Sequence, residues 1–239
     1  MGARPEANAT PAVRVQGVSR TYRQGEHNVH ALADIDLRIE RGEFVSLSGP
    51  SGSGKSTLLN LIGGLDRPSA GTVWIDDVSL ATLDAAQLAS LRLHRIGFVF
   101  QAYNLIPVLS ARENVEFILQ LQGVAPATRR ARALEMLADL NIAELADRRP
   151  ADMSGGQQQR VAVARALAAR PLLLLADEPS ANLDSDATRA LLALLRTLNE
   201  RDGVTIVTAT HDPVVLSYTR RHVRLVDGRI VPNLRDPAP

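Results

Sequence analysis

The chain has 239 residues, 45% of them hydrophobic, a formal net charge of +1 at pH 7 and no cysteine. This length suits one large α/β domain, or a domain carrying a smaller inserted one. The balanced charge supplies no global field to draw the chain onto nucleic acid or an acidic membrane, and the missing cysteines exclude disulfides, thiolate metal sites and thiol nucleophiles. No apolar run approaches the about 18 residues that span a bilayer, and the opening "MGARPEANATPAV" lacks the apolar core of a secretory signal. The expectation is a soluble protein that stays where it is made.

Residues 1–11 and 232–239 are rich in proline and small or polar residues and read as loose tails. Strands are predicted at Ala12–Val18, at the alternating Leu32–Glu40 and at Phe44–Gly49. The third runs straight into "GPSGSGKST", after which Leu58, Leu59, Leu61 and Ile62 fall on helical spacing before a Gly-Gly stop. From about Asp84 to Ala151 the texture turns rich in alanine and leucine with a helical period, in "LDAAQLASLRLHRI", "ARENVEFILQLQ" and "PATRRARALEMLADL", the last with Pro126 at an N1 position. "QQQRVAVARALAAR" then reads as helix, "PLLLLADE" as a strand apolar on both faces, "SDATRALLALLRTLNE" as helix and "GVTIVTATH" as a second buried strand. That alternation predicts a mainly parallel sheet covered by helices. "RHVRLVDGRIV" predicts a hairpin through Asp227-Gly228. No internal repeat or low-complexity tract interrupts the order.

Lys55 is the only lysine, and it lies in "GPSGSGKS", which fits G-x-x-x-x-G-K-[ST] between a strand and a helix. Glycines let backbone N–H groups turn onto phosphate oxygens, and the helix N-terminus adds its dipole. Lysine brings a compact charge on a slim stem to the β- and γ-phosphates, where the wide arginine fork would not enter a closed loop. Ser56 is a Mg²⁺ ligand in this reading and Thr57 a further phosphate contact. A capped glycine turn is the plainer alternative.

A phosphate loop of this kind needs a second magnesium carboxylate at the end of a neighbouring buried strand, and "LLLLADE" offers Asp177. Glu178 follows, placed to polarise an attacking water; a carboxylate cap for the next segment is the competing reading. "MSGGQQQR" opens a helix with Ser154, Gly155, Gly156 and Gln157, a second anion-binding terminus or an ordinary helix cap. One triphosphate has one set of phosphates, so the first reading implies a dimer in which Ser154 and Gly156 meet the nucleotide of another copy.

Taken in order and at these separations, "GPSGSGKST", "SGGQQQR", "LLLLADEP", "SANLD" and "TATHD" resemble the ATP-binding subunit of ABC transporters, from Val13 to Val231. The resemblance implies a P-loop NTPase core with an N-terminal antiparallel β subdomain, and one ATPase domain over residues 12–231 with a helical subdomain at about 102–153 inside it. It implies ATP and Mg²⁺ as ligands. Gly49, Ser51, Gly52, Ser53, Gly54, Lys55, Ser56 and Thr57 would hold phosphates, and Tyr22 would stack on adenine. Gln101 would sense magnesium and γ-phosphate, and His211 would touch the γ-phosphate and help position water. Asp184 would communicate across the dimer, with an N-cap role as the alternative or the complement. His27, His30, His94 and His222 lack metal-ligand spacing.

Within that family, "LIGGLDRPSAGTV", "IGFVFQAYNLIPVLSARENV" and "ADEPSANLD" are most similar to the LolD-, MacB- and FtsE-like group. This implies a cytoplasmic ATPase that dimerises on ATP, sits at the inner face of the plasma membrane through a separate permease, binds no nucleic acid, and drives export or mechanical extraction. Polar amino-acid importer ATPases share the "SGGQQQRVA" helix but differ at the "NLD" position, and a non-transport ATPase of cell division or nucleic-acid metabolism is a further alternative. Met153 stands where leucine is usual, a change of similar bulk with little expected effect, and "SAN" replaces the group's "TGN". The arginine-rich stretches at Arg129–Arg132, Arg148-Arg149 and Arg220-Arg221 read as solvated faces. Tyr103, Leu105, Ile106 and Pro107 read as a permease-docking loop, on the expectation that these apolar groups have no core to join.

Overall fold

One helix packs between two sheets in this chain. The computed structural model describes residues 10–25 and 27–232. Strands β1 (Val13–Gln24) and β2 (His27–Ile39) pair antiparallel, with β4 (Ala70–Ile75) on the other side of β1 and β5 (Val78–Ser79) at the edge. The second sheet has the order β10-β9-β3-β8-β7-β6, built from β3 (Phe44–Ser48), β6 (Ile96–Val99), β7 (Leu173–Asp177), β8 (Thr205–Ala209), β9 (Arg221–Val226) and β10 (Arg229–Val231). All its pairs are parallel except the β9–β10 hairpin. Asp227 and Gly228 turn that hairpin with φ of 46° and 71°, the two positive values a tight two-residue turn requires.

The parallel strands read as continuous apolar runs because each faces two cores. In β7, Leu173 and Leu175 join a core made with the antiparallel sheet and helix α1 (Lys55–Ile62), whereas Leu174 and Ala176 join the core beneath the other helices. Val207 and Ile206 of β8 divide in the same way. This is the period-two consequence of the pleat, with both faces dry. Burial of such side chains contributes about 1.5–3 kcal/mol each.

The second core is closed by α3 (Ala111–Leu121), α4 (Pro126–Asp139), α5 (Gly155–Ala168) and α6 (Ser185–Asp202). The stretch expected to be helical from about Asp84 to Ala151 is divided. Helix α2 (Ala85–Arg95), capped by a reciprocal Asp84–Gln87 box, runs directly into β6 at the sheet edge. The four residues "IGFV" carry no glycine or proline boundary before them, so the helical period of α2 masks the strand. β4 and a short helix α7 (Pro213–Tyr218) were likewise not anticipated, and β1 and β2 run longer than expected, with register shifts after Val15. Pro11 and Ala12 are buried, and residues 1–9 and 233–239, expected as tails, lie outside the described residues.

Candidate functional site

The C-terminal ends of four adjacent parallel strands, β3, β8, β7 and β6, carry most of the singled-out residues. Parallel pairing of β7 with β8 sets Asp177 opposite Ala209, so Glu178 and His211 leave the sheet side by side. Pairing of β6 with β7 sets Val99 opposite Ala176, and Gln101 follows two residues later. In open α/β sheets this is the edge where ligands bind.

The loop after β3 is a tight shell. A side chain at Gly49 would place its Cβ 2.1 Å from the Leu225 carbonyl oxygen, at a φ of 144°, so only glycine fits. Gly54, in the left-handed region, is the N-cap of α1, and Ser53 N–H donates to Pro50 O at 3.3 Å. Lys55 is 7% exposed and its Nζ donates to Gly49 O and Pro50 O at 2.9 Å each, which holds the ammonium over the loop. Ser51, Gly52 and Ser56 are exposed and Thr57 is half-buried. Ser53 Oγ is buried with no hydrogen-bond partner. An orphaned buried hydroxyl inside a turn of N–H groups, beside a buried cation, fits phosphate oxygens.

Ser56 Oγ donates to Asp177 Oδ1 at 2.9 Å. Burial pushes the Asp177 carboxyl above the usual range; the Ser56 hydrogen bond and the Lys55 charge oppose the shift, and neighbouring Glu178 adds to it. Among the described residues no group of three or more His, Cys, Asp or Glu could hold a metal ion. The Ser56–Asp177 pair instead fits Mg²⁺, which takes one or two protein ligands together with substrate phosphates.

Glu178 adopts φ of 46°, a left-handed conformation that costs a non-glycine residue about 1–2 kcal/mol. Its N–H donates to Ala209 O at 2.9 Å, which ties the turn to β8. The carboxylate accepts from His211 Nδ1 at 2.8 Å and from Thr210 Oγ1 at 3.3 Å. The His211 side chain is 74% exposed and that of Glu178 only 17%. A fixed, shielded carboxylate beside an accessible imidazole can orient a water and take its proton.

A second constellation forms around the start of α5. Ser154 Oγ accepts from Gln157 N–H at 3.3 Å and Gln157 Oε1 accepts from Ser154 N–H at 2.9 Å, a complete capping box. A Cβ on Gly155 would lie 2.5 Å from Tyr103 Oη, and one on Gly156 would meet Leu183 and Ala187. Asp184 N-caps α6, accepting from Asp186 N–H at 3.0 Å and Ala187 N–H at 2.8 Å. Both cap readings are realised; Ser154 and Asp184 are exposed, and Gly155, Gly156 and Gln157 are half-buried.

Several residues that matter here were not singled out from sequence. Asn182 Nδ2 donates to Gln101 O at 3.0 Å, and Arg165 Nη2 donates to Tyr103 O at 3.1 Å. Burial lowers the Arg165 pKa. Asn114, fully buried on α3, accepts from Ile106 N–H and donates to Ile106 O and Leu109 O. Leu105, expected to lack a core, packs against one; Val108, at 71% exposure, is the apolar residue that stands out. Met153 is 8% exposed within the core, as a residue of leucine's bulk can be. Arg129 faces Glu116 at 3.6 Å, Arg220 faces Glu200 at 3.1 Å and Arg221 faces Glu43 at 3.2 Å.

Tyr22 lies on the antiparallel sheet, 37% exposed, with its Oη donating to Asp66 Oδ2 at 2.8 Å. Burial acts to raise the Asp66 pKa, but hydrogen bonds from Tyr22 and Arg67 N–H and the Arg20 charge outweigh it and hold the carboxylate below its ordinary range.

A glycine-rich loop between a parallel strand and a helix, with a serine and two successive carboxylates beside it, defines a P-loop nucleotide-binding α/β protein. The family described as ABC transporter matches residues 32–181. An ABC transporter ATP-binding protein of Methanocaldococcus jannaschii, the uncharacterized MJ0796, is 48% identical over 222 residues, covering 91% of this chain and 94% of the relative. A macrolide export ATP-binding/permease protein, MacB of Marinobacter nauticus, is 48% identical over 221 residues; they cover 92% of this chain but 34% of the relative, so the chain spans about a third of MacB. The dimeric structure of MJ0796 in a post-hydrolysis state, bound to ADP and Pi, superposes with a TM-score of 0.86 at 47% identity, covering 91% of this chain and 96% of that one. The chain belongs to the ABC transporter family, as an ATP-binding cassette.

Proposed function

We propose that this chain is the ATP-hydrolysing subunit of an exporter or mechanical extraction system, working as a homodimer with two Mg·ATP between subunits and powering a separate membrane permease. The observation that carries the reading is the convergence of Lys55, Ser56, Asp177, Glu178 and His211 at the ends of adjacent parallel strands. The domain in this reading is residues 12–231, with the helical subdomain at about 102–153. No helix among the described residues is long and apolar enough to cross a membrane. A cytoplasmic position at the inner face of the membrane follows in this reading from the permease.

Each residue has a task set by its surroundings. Lys55 and the loop that begins at Gly49 and ends at Thr57 hold the β- and γ-phosphates. Ser56 and Asp177 hold Mg²⁺, joined by Gln101; the ion supplies charge neutralisation on the phosphate oxygens. Glu178 holds the attacking water in line and accepts its proton, while His211 keeps the carboxylate oriented and its exposed ring contacts the γ-phosphate and the water. Catalysis of this kind is chiefly positioning and charge stabilisation. The N-terminus of α5, with Ser154, Gly155, Gly156 and Gln157, meets the γ-phosphate bound by the other subunit, and Asp184 lies at the same interface. Dimeric MJ0796 with ADP and Pi supports this arrangement, and the permease named with MacB supports the partner.

A tagged Glu178→Gln protein incubated with ATP and detergent-solubilised host membranes tests the partner. Recovery of a few-span membrane protein with a large extracytoplasmic domain supports the reading. Recovery of a many-span permease with a solute-binding protein, or of soluble partners alone, contradicts it.

A further inference from the structure

The side chains of Arg20, Tyr22 and Asp66, from two distant segments, close a triangle. Arg20 and Tyr22 are two residues apart on β1 and so share a face of the strand. The Arg20 guanidinium carbon lies 4.4 Å from the centre of the Tyr22 ring, within cation–π range. The same guanidinium grips Asp66 with two hydrogen bonds, Nε to Oδ2 and Nη2 to Oδ1, both 2.9 Å. Asp66 Oδ2 also accepts from the Tyr22 hydroxyl. Asp66 itself is anchored: it follows α1, where Leu65 N–H donates to Asn60 O at 2.9 Å, and Ser69 N–H donates back to Ser19 O of β1 at 2.8 Å.

We propose that Arg20 and Asp66 are positioning residues for nucleotide recognition, presetting Tyr22 so that the ring face opposite Arg20 is presented to the base. The proposal rests on the reading of Tyr22 as the base-stacking residue. An exposed tyrosine otherwise samples several rotamers and two ring faces, and ordering it on binding weakens affinity. Here one face is covered by a cation and the hydroxyl is fixed, so the ordering is complete before the base arrives. The hydrogen bonds also tie the base platform to the segment that follows the phosphate-loop helix, so both ends of the nucleotide site share one support.

The test is the Kd of the full chain for ATP and for inorganic tripolyphosphate, which has no base, measured by calorimetry. Arg20→Ala and Asp66→Asn are expected to weaken ATP about two- to tenfold, the effect of freeing one side chain, and to leave tripolyphosphate unchanged. Arg20→Lys, which keeps a cation over the ring, should recover most of the loss, and Tyr22→Leu should weaken ATP with no further effect of Arg20→Ala in that background. Unchanged ATP binding in Arg20→Ala and Asp66→Asn, with Tyr22→Leu weakened, overturns the positioning role alone. An equal loss for tripolyphosphate also overturns it, because the defect would then be structural. Unchanged ATP binding in Tyr22→Leu overturns the stacking reading and the proposal with it.

Discussion

Asn114→Ala probes how the segment after Gln101 is held. The native side chain is 0% exposed and satisfies three groups of the 106–110 loop: Ile106 N–H at 2.8 Å, Ile106 O at 3.2 Å and Leu109 O at 3.0 Å. Its bond to Ser110 O counts for less, because that carbonyl also accepts from the Asn114 N–H. Leaving a buried polar group unpaired costs about 1–3 kcal/mol, and half-buried loop groups that water can partly reach fall at the low end. Ile106 O likewise keeps a bond from Leu109 N–H at 3.1 Å, so Ile106 N–H and Leu109 O are the two groups left unpaired, and the expected loss is about 2 kcal/mol. Urea unfolding would read this as a lower midpoint at unchanged m-value. Leucine fills the space but pairs nothing, so Asn114→Leu should lose nearly as much. A loss below about 1 kcal/mol in both variants would refute the claim that this one amide pins the loop.

Two further outcomes follow from the phosphate site. Because burial raises the Asp177 pKa in the folded protein, its protonated form is the one the fold favours; that stabilisation is complete below the unfolded pKa and is lost as pH rises through the folded one. Asp177→Asn, neutral at every pH and still able to accept from Ser56, is therefore expected to melt higher than the native chain at pH 8, to match it in acid where both are neutral, and to lose Mg²⁺-dependent hydrolysis; a melting temperature at pH 8 no higher than the native one would contradict the assignment. Lys55→Ala removes the one ammonium from the loop and is expected to weaken ATP by at least about tenfold in titration calorimetry, since charge-assisted hydrogen bonds contribute about 1.5–3 kcal/mol each. Retained tight binding would overturn the account of that lysine.

Much of the site could be read from short strings because its chemistry is local. Strand, loop and helix in "FVSLSGPSGSGKST" are contiguous, so one spacing carries Gly49, Lys55 and Ser56 together. Glu178 and His211 are 33 residues apart, yet each ends a buried strand recognisable by its apolar run, and parallel pairing then brings them together. What stayed hidden depends on distant partners. Arg20 and Tyr22 reach Asp66 across 46 and 44 residues, Arg165 reaches Tyr103 across 62 and Asn182 reaches Gln101 across 81. An arginine or asparagine that bonds to a distant backbone carbonyl or carboxylate has no period or motif of its own. β6 was hidden for a different reason: it is short, directly follows a capped helix, and its identity as a strand comes from pairing with β7.

The measurement closest to the central claim is single-turnover hydrolysis by Glu178→Gln, paired with size-exclusion analysis in ATP. Glutamine keeps the shape and can still accept from His211, but it cannot take a proton from water. The account predicts that the variant binds ATP, accumulates a dimer, and hydrolyses at least about 10²-fold more slowly than the native chain, the ordinary contribution of a general base. Native-rate turnover, or a monomer that persists with ATP bound, would contradict it.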